Sequence, residues 1–257
     1  MRERGQTGEE DRGQSEVIGF VIVFSAILAA TVVVSVFGLS ALNDVRESTV
    51  ANNGETAMQA LGSDVEAIYY GSAESRTTEL TLDSASLAVG DPTRVKVRVP
   101  SAGIDREWKL YPLVYRSDAA SIYYEDSLVV RQQPTGAVAV TDSLFRMSDE
   151  RAIVPIVRTN AAANVSVRGG THRVEFVGNG TESVVHSEPS PFSITITIED
   201  VPGRERVWAD TLNEAYTGSA STPCTPDLAD DKVVCDGPSF ETERLLVTNA
   251  TVSYTVD

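Results

Sequence analysis

The hydrophobic pattern of the chain changes abruptly after Glu16 and again at Asp44. The twenty-seven residues between these two carry no charge and are mostly Val, Ile, Ala, Phe, Ser and Thr. A helix rises about 1.5 Å per residue, so a helix of this length exceeds the roughly 30 Å hydrocarbon core of a bilayer. The pattern therefore predicts one membrane-spanning or self-packing helix over residues 14–43.

Apolar residues continue at helical spacing beyond this run, and they form one face of an amphipathic helix. We therefore predict a helical extension over 44–71, which ends at Gly71-Ser72. Gly54 and Gly62 weaken the pattern, and Asn52-Asn53-Gly54 predicts a break or a bend. The residues of the apolar face are Met58, Leu61, Val65 and Ile68.

From Thr78 onward apolar and polar residues alternate with period two, which is typical of half-buried antiparallel strands. One short helix is expected at 203–216, where apolar residues return to helical spacing. The predicted fold class is α+β: a long N-terminal hydrophobic helix followed by a mainly antiparallel β-sandwich-like extracellular domain over 78–257. The strand candidates include 78–83, 94–99, 108–115, 121–131, 136–140, 151–158, 164–168, 174–176, 194–198 and 252–256.

The net charge of −16 argues against nucleic acid as a partner, because phosphate groups would be repelled. Only three of the basic residues are lysines, and eighteen are arginines. Acidity with few lysines suits a halophilic protein, which stays soluble in concentrated salt. An ordinary acidic exported protein is the alternative interpretation.

Basic residues lie mainly on one side of the apolar run. Arg2, Arg4 and Arg12 precede it, whereas only Arg46 closely follows it. The positive-inside rule then predicts a single-pass protein of the cell membrane with a cytoplasmic N-terminus and an extracellular C-terminal domain. The apolar run is too long for the core of a secretory signal peptide, so we expect it to be retained.

Three Asn-x-Ser/Thr sequons agree with this orientation, because all of them lie after the apolar run. Their acceptor residues are Asn164, Asn179 and Asn249. N-glycosylation of these residues is a prediction of the topology, although each motif is short.

Two cysteines, Cys224 and Cys235, lie close together in a segment rich in Pro and Asp. Two cysteines without neighbouring histidines do not complete a tetrahedral zinc site. In an exported chain a local disulfide is expected, and a pair of free, half-buried thiols is the alternative.

The sequence predicts no enzyme, no cofactor and no metal site. His172 and His186 each lie in or beside a predicted strand, where a structural histidine is more common than a catalytic one. The carboxylates of Asp227, Asp230 and Asp231 favour a solvated acidic loop over a Ca²⁺ site, because the ligand order of an EF-hand is absent.

The apolar run is preceded by a charged segment that ends in Asp11-Arg12-Gly13-Gln14-Ser15-Glu16-Val17-Ile18-Gly19. This start resembles that of archaeal type IV pilin-like proteins, especially haloarchaeal ones, which carry class III signal peptides. The resemblance covers about thirty residues. It implies that a prepilin peptidase removes residues 1–13 as a cytoplasmic leader and makes Gln14 the new N-terminus.

The resemblance also implies a role for Glu16, whose carboxylate would pair with the free amine of a neighbouring subunit. Independently of it, an acidic residue in the first helical turn complements the positive end of the helix dipole. Both roles stay open for Glu16.

Two functions follow from these observations. The first is a non-catalytic, type IV pilin-like surface protein that forms a homo- or hetero-polymer as a major or minor subunit. The second is a signal-anchored ectodomain that binds a ligand or a partner at the cell surface without polymerising.

Overall fold

The computed structural model describes residues 10–161, 166–219, 222–236 and 240–257, with side chains from Val17 onward except for Ala161. The chain divides into two compact units, Met1–Ser48 and Thr49–Asp257. The first unit consists, in its described part, of helix only. The second, called the β unit below, contains the remainder of that helix and all of the described β-structure.

Helix α1 runs without interruption over Glu10–Tyr69, so the break predicted at Asn52-Asn53-Gly54 is wrong. Its end at Gly71-Ser72 is confirmed. The amide of Ser72 donates to the carbonyl of Ala67, and that of Gly71 donates to the carbonyl of Ile68. Gly71 has a φ of 70°, as the left-handed position after a helix requires.

The two helical glycines that weakened the pattern are points of close approach within the second unit. A Cβ added at Gly54 would overlap the ring of Tyr115, and one added at Gly62 would lie 3.2 Å from the ring of Tyr124. The hydroxyl of Tyr115 also donates to the carbonyl of Val50 over 3.1 Å. Tight packing against aromatic rings thus offsets the low helix propensity of glycine.

Within the described residues, sixteen strands and one further α-helix follow α1. The α+β fold class and the mostly antiparallel β-rich domain are confirmed, as is the short helix, α2 (Glu205–Ala215). The strands are β1 (Ser75–Thr81), β2 (Ser86–Val89), β3 (Thr93–Val99), β4 (Ile104–Leu110), β5 (Leu113–Arg116), β6 (Ser121–Glu125), β7 (Leu128–Gln133), β8 (Gly136–Ala139), β9 (Arg146–Met147), β10 (Ala152–Ala161), β11 (Ser166–Arg168), β12 (Thr171–Ser193), β13 (Thr195–Glu199), β14 (Cys224–Asp227), β15 (Lys232–Cys235) and β16 (Glu241–Val256).

The strands form three sheets. Their orders are β1-β12-β16-β10-β9, β11-β2-β5-β6-β7-β8 and β14-β15-β13-β3-β4. Among the described strands, neighbours in a sheet pair antiparallel except β10 with β16, which run parallel from Ala152 beside Leu245 to Ala161 beside Tyr254. The single strands predicted over 108–115 and 121–131 are wrong. The first is divided between β4 and β5, which belong to different sheets, and the second between β6 and β7, which are joined at Asp126 and Ser127.

Two hydrophobic cores lie on opposite faces of the long strand β16. Leu245 and Val247 belong to a core with α2 and the third sheet. Val252 and Tyr254 belong to a second core with the 58–68 portion of α1. Odd- and even-numbered residues of a strand face opposite sides, so β16 joins the two cores.

Candidate functional site

The first candidate site is the apolar half of α1, from Val17 to Leu42. Its large apolar side chains are each between 50% and 71% exposed, and they surround the helix on all sides. A helix that is apolar all round is stable only in lipid or against other apolar surfaces. Transfer of this much apolar surface from water into lipid or into a protein interface would be favourable by a free energy on the order of tens of kcal/mol.

Within the part of the chain that the structure describes, α1 is the one helix long and apolar enough to cross a membrane. This agrees with the predicted single-pass anchoring. The backbone of Arg12, Gly13, Gln14 and Glu16 lies in the first turns of α1. Their side chains lie outside the described residues, so the two roles of Glu16 stay open.

The three predicted sequons occupy different environments. Asn179 is exposed beside a register shift in β12, and its side-chain amide donates to the hydroxyl of Ser253 over 2.9 Å. Asn249 lies in the central strand β16 with only 8% of its surface exposed. Asn164 lies outside the described residues. The structure therefore distinguishes an accessible sequon from a buried one.

Cys224 and Cys235 form a disulfide, as predicted, and the free-thiol alternative is set aside. The two residues lie directly opposite each other in the antiparallel pair of β14 and β15. The Asn213 side chain connects this hairpin to α2, because it donates to the carbonyl of Cys224 and accepts from its amide, both over 2.9 Å.

The histidines and the acidic loop make structural contacts. Nε2 of His172 lies 2.7 Å from the carbonyl oxygen of Gly169, and Nε2 of His186 lies 2.9 Å from a carboxylate oxygen of Glu188. In the acidic loop, Lys232 pairs with Asp230 and Asp227 over 2.5 and 3.4 Å. No group of three metal-binding side chains occurs among the residues that the structure describes.

The sequence interpretation missed a buried polar turn, which consists of Glu125, Asp126 and Ser127. All three residues are at most 1% exposed, although they are polar and join two strands. Asp126 and Ser127 have φ angles of 45° and 73°, as in the tight turns that join hairpin strands. Three consecutive polar residues between two apolar runs are the signal that could have indicated a turn here.

Glu125 is the most highly connected member of the buried turn. Its Oε1 accepts from Nε of Arg204 over 2.9 Å and from Nε1 of Trp208 over 2.8 Å, both at the start of α2. Its Oε2 accepts from the hydroxyl of Thr93 on β3 over 2.8 Å. The Arg204 guanidinium in turn lies 4.1 Å from the ring centre of Tyr123. Through these hydrogen bonds Glu125 joins the second sheet to α2 and to the third sheet.

Asp126 and Ser127 connect the same turn to other parts of the β unit. Oδ1 of Asp126 accepts from the amide of Val157 on β10 over 2.6 Å, and the hydroxyl of Ser127 accepts from the amide of Leu144. Burial raises the pKa of Asp126 to about 8. The second carboxylate oxygen of Asp126 is buried and has no hydrogen-bond partner among the described residues. The buried turn is thus a structural junction that includes a carboxyl group with a raised pKa.

Comparison with known proteins places the chain in a family. A family model described as "Family of unknown function (DUF7289)" matches residues 12–255. The chain belongs to this family. No curated protein and no solved structure matches the chain. The shared region starts at Arg12 and so includes Gly13, the apolar half of α1 and almost all of the β unit.

Proposed function

We propose that this protein is a non-catalytic, type IV pilin-like subunit of the cell surface. The observation that carries the proposal is the apolar half of α1, whose large side chains are at least 50% exposed all round the helix. Such a helix is suited to exist first in a bilayer and then among copies of itself. The same helix continues into residues 49–69, which are packed into the β unit.

The composition of the apolar half favours helix–helix packing over a purely lipid-facing role. It contains only three leucines, Leu28, Leu39 and Leu42, and it is rich in Val, Ala, Gly and Ser. Gly19 and Gly38 each have open space where a side chain would project. Small residues allow helix backbones to approach closely, so these positions suit contacts between subunits.

The proposed biogenesis requires a prepilin peptidase that cuts between Gly13 and Gln14. The positive charges of Arg2, Arg4 and Arg12 support a cytoplasmic position of that bond. The β unit would then lie outside the cell. Cleavage at the cytoplasmic edge leaves the apolar helix attached to the β unit, in contrast to removal of a secretory signal.

The processing step is tested by the mass of the protein isolated from its native membrane. We expect the mature chain to begin at Gln14, and Gly13→Asp to leave the full-length precursor. A charged, larger residue should not fit where the peptidase accepts a small one. Gly8→Asp makes the same change inside the leader and should leave cleavage intact. Full-length protein in surface preparations of the unmodified strain would contradict the proposal.

The alternative function, a signal-anchored ectodomain that does not polymerise, is supported by the length of the same helix. One span of this length anchors a protein by itself. That function predicts a retained leader and a monomer in detergent. Surface filaments that disappear on deletion of the gene would favour the pilin-like subunit, whereas a membrane without filaments would favour the anchored ectodomain.

We also expect N-glycosylation at Asn179 and not at Asn249, because an acceptor must be accessible. Thr181→Ala removes the first sequon and should lower the intact mass by one glycan. Thr251→Ala removes the second sequon and should leave the glycan mass unchanged. A glycan that persists in Thr181→Ala and disappears in Thr251→Ala, measured by mass spectrometry of native protein, would contradict this assignment.

A further inference from the structure

Strand β12 has a free edge over part of its length. It pairs with β16 along one side, but β1 covers the other side only over Thr171–Val177. In the described portion of the chain, no strand pairs with this outer edge beyond Gly178, whose amide donates to the carbonyl of Glu74. The backbone donors and acceptors of the next residues that point away from β16 therefore have no strand partner among the described residues.

The free edge is regular over seven residues, Thr181–Ser187. These residues pair in register with Ala250 to Arg244 of β16, and a register shift interrupts the ladder at each end. Just beyond the segment, the hydroxyl of Ser101 donates to the carboxylate of Glu188 over 2.9 Å. The segment Thr181–Ser187 is called the β12 edge below.

The β12 edge has fewer of the features that usually prevent strands from pairing between molecules, since Glu182 is its one acidic residue and the register shifts lie only at its ends. It contains no lysine and no proline. Val185 is 74% exposed, which is the highest value among the large apolar residues of the β unit. By contrast, the outer strand β4 carries charged residues over Asp105–Glu107, which discourage an additional strand.

We propose that the β12 edge pairs in antiparallel orientation with the same segment of a second copy of this chain. The segment is self-complementary about Val184, its central residue. A two-fold axis there places Glu182 opposite His186, and Ser183 opposite Val185. An antiparallel register that places Glu182 of one copy opposite Glu182 of the other would bring two carboxylates together, which is unfavourable.

The register shifts at the ends of the β12 edge support the same centre. The segment begins after Gly180 and ends before Glu188, so both limits lie four residues from Val184. The partner strand would therefore end where Glu74 and β1 occupy the edge. An isologous contact of this kind closes on itself as a dimer.

Two physical conditions determine the strength of this contact. The net charge of −16 repels a second copy, but the Debye length falls to about 3 Å in molar salt. Seven paired residues also bury little surface, so the contact is weak between free molecules. Attachment to one membrane raises the effective concentration of the copies. The contact does not require that the protein form filaments.

Cysteine cross-linking of the full chain in lipid vesicles and molar salt tests the proposal, since the native cysteines are already paired. Ser183→Cys and Val185→Cys are purified separately, reconstituted together into the same vesicles, and then exposed to mild oxidation. Because residues 183 and 185 lie opposite each other across the two-fold axis, we expect a covalent dimer in the mixture and only background in each variant alone. Val138→Cys, on the exposed strand β8, mixed with Ser183→Cys provides the control.

Three results would overturn the proposal. A mixture that cross-links no more than the Val138→Cys control would show that the β12 edge stays unpaired. Equal cross-linking of Ser183→Cys alone would indicate a register that places Ser183 opposite Ser183 of the second copy, in parallel strands or in antiparallel strands centred on Ser183, and not the register centred on Val184. In the third test, chains that carry both Ser183→Cys and Val185→Lys are mixed with chains that carry Val185→Cys. Cross-linking that persists in this mixture would show that the contact does not use this edge. Val138→Lys is the matched lysine control.

Discussion

We expect Asp126→Asn to stabilise the β unit at pH 8 and to flatten the loss of stability between about pH 4 and pH 8. Burial raises the pKa of the Asp126 carboxyl from 3.8 to about 8, so the folded state binds this proton more tightly than the unfolded state. The stability that the folded state gains from binding this proton is therefore fully present below about pH 4 and is lost as the pH rises through 8. One proton corresponds to about 1.4 kcal/mol per pH unit, so the total effect is on the order of several kcal/mol.

Asparagine is suited to this position for two further reasons. Its side-chain oxygen retains the bond from the amide of Val157, and it carries no charge. Asparagine also tolerates the φ of 45° that Asp126 adopts. The substitution thus reproduces the protonated form of the native side chain at every pH.

The measurement is the free energy of unfolding by denaturant at several pH values, followed by tryptophan fluorescence of the full chain in detergent. Asp149→Asn is the control of opposite sign, because a hydrogen bond from Tyr216 lowers the pKa of Asp149. Its contribution is lost only as the pH falls below 4, so the slope between pH 4 and 8 should remain. Parallel curves for the native chain and Asp126→Asn would contradict the assigned proton.

The buried turn also shows why part of the fold could not be predicted from the sequence. Glu-Asp-Ser is locally a solvated turn, and the run around it was interpreted as one strand. The partners that make burial of Glu125 favourable, Thr93, Arg204 and Trp208, lie 32, 79 and 83 residues away along the chain. Nothing local indicates that they converge on one carboxylate.

Features that depend on neighbouring residues were predicted more successfully. The charge-free run from Val17 specified the apolar half of α1, and alternation specified most of the strands. The disulfide followed from the short separation of Cys224 and Cys235. The parallel pairing of β10 with β16 joins residues more than ninety positions apart, so local alternation could not reveal it. For the same reason, the sequence did not distinguish the exposed Asn179 from the buried Asn249.

We expect Gly54→Ala to destabilise the β unit by about 1–3 kcal/mol, although alanine is the better helix former. Alanine in a free helix would gain up to about 1 kcal/mol over glycine. At Gly54, however, the new methyl group would overlap the ring of Tyr115, which is only 1% exposed and is fixed by its hydrogen bond to Val50. Overpacking should therefore outweigh propensity.

The sign of the change in stability shows whether glycine at position 54 serves close packing against Tyr115 or only lowers the stability of the helix. Gly38→Ala is the matched control in the same helix, because nothing lies within 4 Å of its added Cβ, and it should leave the unfolding midpoint of the β unit unchanged. Tyr115→Leu in the Gly54→Ala background should recover part of the loss, and a double-mutant cycle measures that coupling. A stabilised Gly54→Ala variant would mean that the helix does not approach the sheet this closely. Because residues 49–69 are the part of α1 packed into the β unit, a loosened contact here should also lower the yield of any assembled surface filament.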